Sequence, residues 1–292
     1  MRTLARFSIL AGLLVATAGR GPAWAACGDT GVWLQVLGSG GPFGAGRASA
    51  GYIVWIDGVS RIMVDAGGGT FTRFHQAGAT LADLQLLALS HFHPDHASDV
   101  PALLWPRGGS LRVAGPSGSA GFPSVDDFLS GLFGPAGVFR VLNGRVMLDT
   151  VTVNVADLEA TDVLRDGEVR VRGLGVPHGS VPAVGYRVDV GDASVAFSSD
   201  QNGSNPAFTD FVRDVDLLVV HFAASEASAG AATDLHAKPS VWGQMAADAG
   251  VGTLVLSHLS ANQDLDENVA HLRSTYSGPL TIASDLLCVT VD

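Results

Sequence analysis

Charge is scarce in this 292-residue sequence: Asp, Glu, Lys and Arg make up 15% of it, where an ordinary globular chain carries roughly 25%. Apolar residues reach 47%, enough to bury a sizeable core, which excludes a disordered chain. Basic residues are the scarcer sign, 17 against 28 acidic, and they form no run. A formal charge of −11 without a basic stretch argues against a dedicated nucleic-acid surface. A locally positive metal site could still draw in a phosphate or sulfate ester. The 37 glycines keep no triplet period, which excludes a collagen-like repeat, and no solenoid repeat is present. Only two cysteines occur, Cys27 and Cys288, and neither is near a His-rich segment, so a thiolate metal ligand has no support. In an oxidising compartment the two could pair and close nearly the whole chain.

Long hydrophobic runs are absent as well: past the N-terminus none approaches the ~18 residues of a membrane span. The first residues instead have the make-up of a secretory leader, 1–25. Arg2 and Arg6 supply a positive start, 7–18 is a short apolar stretch, and Ala23-Trp24-Ala25 gives the small residues of a cleavage site. No arginine pair precedes the apolar run, so a twin-arginine signal is not expected. The remainder, 26–292, is expected to form one domain, periplasmic or secreted. Trp24-Ala25-Ala26-Cys27 is also similar to a bacterial lipoprotein box, with Trp where Leu is usual, and a lipid on Cys27 would preclude its pairing with Cys288.

Strand and helix patterns alternate along the rest, as in an α/β fold. Strands are predicted over 32–37, 51–56 and 61–64, the last two joined by the hairpin signal Asp57-Gly58. A short amphipathic helix is expected over 70–79 and a continuous apolar strand over 84–89. A second hairpin spans 184–190 and 194–198 around Gly191-Asp192, followed by strands over 216–220 and 253–257. Helices are expected over 240–249 and 266–276, and a strand pair across 280–291. Residues 106–140, rich in Gly and Pro, read as an insertion or loop-heavy connection. The Gly-rich segment 38–46 has neither G-K-[ST] nor the third glycine of G-x-G-x-x-G, so it is not a standard phosphate cradle. The aromatic residues are scattered and read as core rather than as a base-stacking platform.

The chemistry concentrates in His91-Phe92-His93-Pro94-Asp95-His96, directly after an apolar strand. In an extended segment alternate side chains share a face, so His91 and His93 can grip one ion. Pro94 suits the first turn of a helix, and the turn lets Asp95 and His96 face a second position. This segment resembles the H-x-H-x-D-H signature of the metallo-β-lactamase superfamily. The resemblance extends from Leu37-Gly38-Ser39-Gly40 and Val64-Asp65-Ala66-Gly67 to the final strands.

That resemblance implies a four-layer αββα sandwich with metals at one edge of two sheets. It also implies a third His from Val176-Pro177-His178-Gly179, a bridging acid from Ser198-Ser199-Asp200, and a last His from Ser257-His258. The expected sites are His91, His93 and His178 on one metal, Asp95, His96 and His258 on the other, with Asp200 shared. Nitrogen and carboxylate donors suit two zinc ions, with manganese or iron as alternatives. Such a pair of ions activates water near neutral pH. Asp65 is a candidate for orienting a ligand His, or is simply a turn residue.

Among branches, the similarity is to ribonuclease Z-like and arylsulfatase-like members, through Val184-Gly185-Tyr186-Arg187 and through His236-Ala237-Lys238-Pro239-Ser240. The latter makes His236 the candidate proton donor, with Asp95 as the other candidate catalytic group. Relatives read His-Glu-Ala-Thr where this chain has His221-Phe222-Ala223-Ala224, and no basic tRNA-gripping arm is evident. The expected activity is ester hydrolysis on a small molecule, a phosphodiester first and an aryl sulfate second. A non-catalytic metal- or ligand-binding protein on the same scaffold is the competing reading. Relatives are often dimers, so a homodimer is an open alternative. His75 and His271, on helical segments, are assigned nothing.

Overall fold

The computed structural model describes residues 27–105, 109–261 and 263–292; the leader expected over 1–25 lies outside them. The first half holds strands β1 (Val32–Gly38), β2 (Gly51–Ile56), β3 (Val59–Val64), β4 (Leu86–Ala88), β5 (Gly109–Pro116) and β6 (Val146–Val153). Its helices are α1 (Thr70–Gln76), α2 (Pro94–Ala97), α3 (Val100–Leu104) and α4 (Val125–Phe133). The second half holds β7 (Thr161–Asp166), β8 (Val169–His178), β9 (Val181–Val190), β10 (Ala193–Phe197), β11 (Leu217–His221), β12 (Thr253–Ser257), β13 (Leu280–Ile282) and β14 (Cys288–Thr290). Between them run α5 (Pro206–Phe211), α6 (Ala231–Leu235), α7 (Pro239–Ala249) and α8 (Leu265–Arg273).

Two seven-stranded sheets result, ordered β14-β1-β2-β3-β4-β5-β6 and β13-β12-β11-β10-β9-β8-β7. In the first, pairing is antiparallel from β14 to β3 and parallel from β3 to β6. The second repeats the scheme, antiparallel from β7 to β10 and parallel from β10 to β13.

Side chains alternate across a strand, so each sheet presents two faces, and both are apolar here. On β2, Tyr52 and Val54 enter a core between the sheets, with Phe197 and Val219 from the other sheet. Ile53 and Trp55 of the same strand point outward, into a core with Phe74 of α1, Leu103 of α3 and Leu129 of α4. Leu218 and Val220 do the same on the far side, against Phe208 of α5, Trp242 of α7 and Leu272 of α8. Three cores between four layers make an αββα sandwich, the expected fold class. Among the described residues no helix is long and apolar enough to cross a membrane.

Two expectations are corrected. Residues 106–140 are not merely a loop-heavy connection: they carry β5, paired along its length with β6, and α4, closed by a Ser124–Asp127 capping box. Their glycines and prolines mask a regular strand and helix. The strands at 280–291 exist but do not pair with each other. Strand β13 extends the second sheet beside β12, whereas β14 crosses over to β1.

That crossover brings Cys288 to Cys27, and the two form a disulfide with their Cα atoms 5.6 Å apart. The bridge fastens the segment ahead of β1 to the edge strand beside it, and it occupies the sulfur that a lipid on Cys27 would need. A native bridge of this kind contributes about 2–5 kcal/mol. Cys288→Ser is therefore expected to lower the thermal midpoint, and to match the unmodified protein melted in reductant. Identical melting curves for the variant and the oxidised protein would show that the bridge contributes nothing.

Candidate metal centre

The parallel strands of both sheets end at one edge, and their C-terminal ends deliver the histidines and acids. The segment after β4 carries His91 to His96, with His93 as the cap of α2 and Pro94 in its first turn. His178 ends β8, His221 ends β11, and Asp200 and His258 follow β10 and β12. The sheets are pinned together here: Tyr186 Oη donates to Leu89 O at 2.9 Å, and Val184 N–H donates to Ser90 O at 2.9 Å.

Asp65, Ser199 and His258 are non-glycine residues with φ of 58°, 58° and 55°. Such left-handed backbone is uncommon and collects at functional sites. Two glycines allow close approach. A Cβ on Gly41 would lie 2.7 Å from the His258 ring, and one on Gly67 would lie 2.0 Å from Asp95 O.

The structure brings all seven sequence-predicted ligands together. His91, His93, His178 and Asp200 form one group of potential donors, and His96, Asp200, His221 and His258 form a second. Asp200 belongs to both. Its Oδ2 lies 3.8 Å from His91 Nε2, 3.7 Å from His178 Nε2 and 3.5 Å from His96 Nε2. Its Oδ1 is 3.5 Å from His258 Nε2. Asp95 Oδ2 sits beside the second group, 3.1 Å from His258 Nε2 and 3.6 Å from His96 Nε2.

The outward ring nitrogens have partners that leave the inward ones free to coordinate. His96 Nδ1 is 2.8 Å from Asp65 Oδ2, His178 Nδ1 is 2.8 Å from Leu235 O, and His91 Nδ1 is 3.1 Å from Ser90 Oγ. With those outward nitrogens protonated, each ring in its neutral form turns the Nε2 lone pair toward the cluster, the form in which it would hold a metal. Ring nitrogens crowd there, His96 Nε2 against His258 Nε2 at 3.2 Å and His91 Nε2 against His93 Nδ1 at 3.0 Å. Imidazoles and carboxylates gathered this closely, with the outward nitrogens of three rings already engaged, fit a pair of divalent ions with nitrogen and oxygen ligands.

Asp65 answers the choice left open by the sequence. It accepts Ser90 N–H at 2.7 Å and Ser90 O–H at 2.8 Å while holding His96.

Protonation follows the same geometry. Burial disfavours the charged form of His96, but the Asp200 and Asp65 carboxylates outweigh it and hold its pKa well above the usual imidazole range. Burial by itself raises Asp200; the surrounding histidines, His258 and His96 foremost, hold it well below the usual carboxylate range. Asp95 is likewise held at about 2, against burial, chiefly by the hydrogen bond from His258. Burial, reinforced by His96, pushes His91 well down.

His236 reaches the rim from the end of α6. Its Nδ1 is 3.9 Å from Asp200 Oδ1, has no hydrogen-bond partner, and is pushed down to about 4 chiefly by burial. His221 is the residue that sequence reasoning left without a role. Its Nδ1 lies 2.8 Å from Asp200 Oδ1 and its Nε2 lies 3.2 Å from Tyr52 Oη. With both nitrogens engaged, it holds Asp200 in place. Its position at the end of an apolar strand is the signal the sequence offers, and the structure pairs it with Ser257 just before His258. His75 and His271 lie exposed on α1 and α8, away from the cluster.

Asp65→Asn keeps the shape of the side chain but weakens its hold on His96 Nδ1–H. It is expected to lower metal affinity by about 10–100-fold, measured by competition with a chromophoric chelator. Unchanged affinity would remove Asp65 from any role at the centre.

Comparison with known proteins points the same way. A model of the beta-lactamase superfamily domain matches residues 60–259. The chain is 29% identical over 285 residues to a ribonuclease Z of Kineococcus radiotolerans, covering 82% of this chain and 88% of that protein. The metallo-beta-lactamase fold protein YhfI from Bacillus subtilis superposes with a TM-score of 0.71 at 21% identity, over 88% of this chain and 98% of YhfI. The short form of human tRNase Z gives 0.69 at 17% identity, over 89% and 99%. At these identities the two structural likenesses speak for the fold alone.

Proposed function

This chain belongs to the metallo-β-lactamase superfamily of metal-dependent hydrolases, and on that premise we propose that it cleaves a small phosphodiester at two zinc ions, outside the cytoplasm. The observation that carries the proposal is Asp200, a buried carboxylate common to two groups of histidines. One carboxylate can bridge ions ~3.5–4 Å apart, the spacing of centres that displace a leaving group in line.

His91, His93 and His178 would hold one ion, and Asp95, His96 and His258 the other. Once bound, the ions supply an activated water and neutralise charge on the substrate. The chain's own residues do the rest. Asp65, Ser90 and Leu235 fix the rings of the ligand histidines, and His221 keeps Asp200 turned inward. His236, facing Asp200 from the rim, is placed to hold the transferred group, or to give a proton to the leaving oxygen once the negative charge of a bound ester raises its pKa from about 4.

A ribonuclease Z relative supports phosphorus as the reaction centre. The rest of the sequence supports a small substrate rather than tRNA, because its only lysine is Lys238 and its net charge is −11. Export is supported by the leader-like start and by the Cys27–Cys288 bridge, which persists in oxidising compartments.

The zinc-loaded protein is expected to hydrolyse bis-(4-nitrophenyl) phosphate faster than 4-nitrophenyl sulfate, and to lose turnover on chelation. Asp200→Ala should lose bound metal and drop turnover by about a hundredfold or more. Faster sulfate turnover would reassign the substrate to aryl sulfates. Hydrolysis of neither would favour a binding protein on the same scaffold.

A further inference from the structure

We infer that a small apolar recess beside the metal centre receives a single uncharged aromatic ring of the substrate, an inference that rests on the ester-hydrolase reading above. The recess has a volume of about 170 Å³, and one of its walls is His93, which also belongs to the first group of potential ligands. A ring seated there would therefore be joined directly to the group under attack. Phe92 and Phe128 form another wall, stacked with centroids 4.3 Å apart and ring planes 5° from parallel. Val181 and Pro182, at the start of β9, close the floor.

Phe122 completes the enclosure, and its position is built. Residues 119–122 form a tight turn in which Ser119 and Phe122 exchange both backbone hydrogen bonds, each at 3.1 Å. Gly121, with φ of 90°, permits that turn, and Phe122 is left half-buried over the recess.

The lining selects by chemistry. Apart from His93, none of its side chains carries a charge or a hydrogen-bonding group. Pro182 has no N–H to offer, and the backbone groups of Phe122 are already used by Ser119. A nucleobase placed here would bury edge donors and acceptors without partners, which costs more than its ring gains. A sugar would fare no better. By size, an apolar cavity of about 150 Å³ lined by Leu, Ile and Phe takes up one benzene. Phenyl or benzyl is thus the favoured class of substituent, its ring meeting the Phe122 and Phe128 rings edge-on or offset.

The test uses binding, so it does not depend on turnover. Methylphosphonate and phenylphosphonate are titrated calorimetrically into the zinc-loaded protein; both offer the same charged head to the metal centre, and only the second offers a ring. Phenylphosphonate is expected to bind about tenfold tighter. Phe122→Ala, which opens the recess, and Phe122→Trp, which fills it, should both bring the two affinities to within about twofold. Methylphosphonate affinity should be unchanged in both variants, which also reports that the centre is intact. Equal affinities in the parent protein, or a preference for the ring that survives both substitutions, would overturn the recess and leave the metal centre standing. Binding of neither phosphonate would overturn the hydrolase reading itself, and the recess with it.

Discussion

Everything at the functional edge of this molecule follows from the cost of burying like groups together. Five buried imidazoles, with His93 and His236 at the rim, gather with the Asp95 carboxylate around Asp200, and two pairs of ring nitrogens face each other at 3.0 and 3.2 Å. Protein interiors do not tolerate such an arrangement unless compensating charge enters it. Divalent cations supply that charge with the ligand geometry these side chains already present. Asp65, Leu235 and Ser90 then have a clear purpose, since each occupies the nitrogen that must not point inward.

The sandwich serves this arrangement by ending its parallel strands on one edge. The central strands β4, β10, β11 and β12 are buried on both faces and have little freedom to shift, so a residue just past their ends is held to a fixed position. The three left-handed residues Asp65, Ser199 and His258 mark where the chain turns sharply to aim a side chain back over that edge. The glycine-rich stretch between β1 and β2 is part of the same construction. Leu259 N–H donates to Ser39 O at 2.9 Å, and Asp285 accepts from both Ser39 and Ala48, so the loop is fastened across His258. Asp285 lies three residues before Cys288, which links the loop to the disulfide-bound edge.

Most of this was legible in the sequence, for reasons that differ by element. The segment His91–His96 could be read because its ligands are local and Pro94 sets the turn. Asp200 and His258 could be read because each follows a continuous apolar strand. The strands β6 and β7 were not legible: both lie at sheet edges, where one face meets water and charged or hydroxyl residues interrupt the apolar pattern. The departure of β14 to the other sheet was hidden because a three-residue strand carries almost no register information, and its partner lies at the far end of the chain. His221 shows in the sequence as the end of an apolar strand and a break from a related motif, but its role does not, because its partner Asp200 is brought near only by parallel strand pairing. The aromatic recess was hidden for the same reason. Phe92 lies between β4 and α2, Phe122 in a turn and Phe128 on α4, and in the sequence they read simply as core.

The central claim is that Asp200 joins two cation positions. It is tested most directly by diffraction from crystals of the zinc-loaded protein, recorded on both sides of the zinc absorption edge. Two anomalous peaks per chain are predicted, about 3.5–4 Å apart, one against His91, His93 and His178, the other against His96 and His258, with the Asp200 carboxylate between them. A single peak, or none within reach of Asp200, would contradict it.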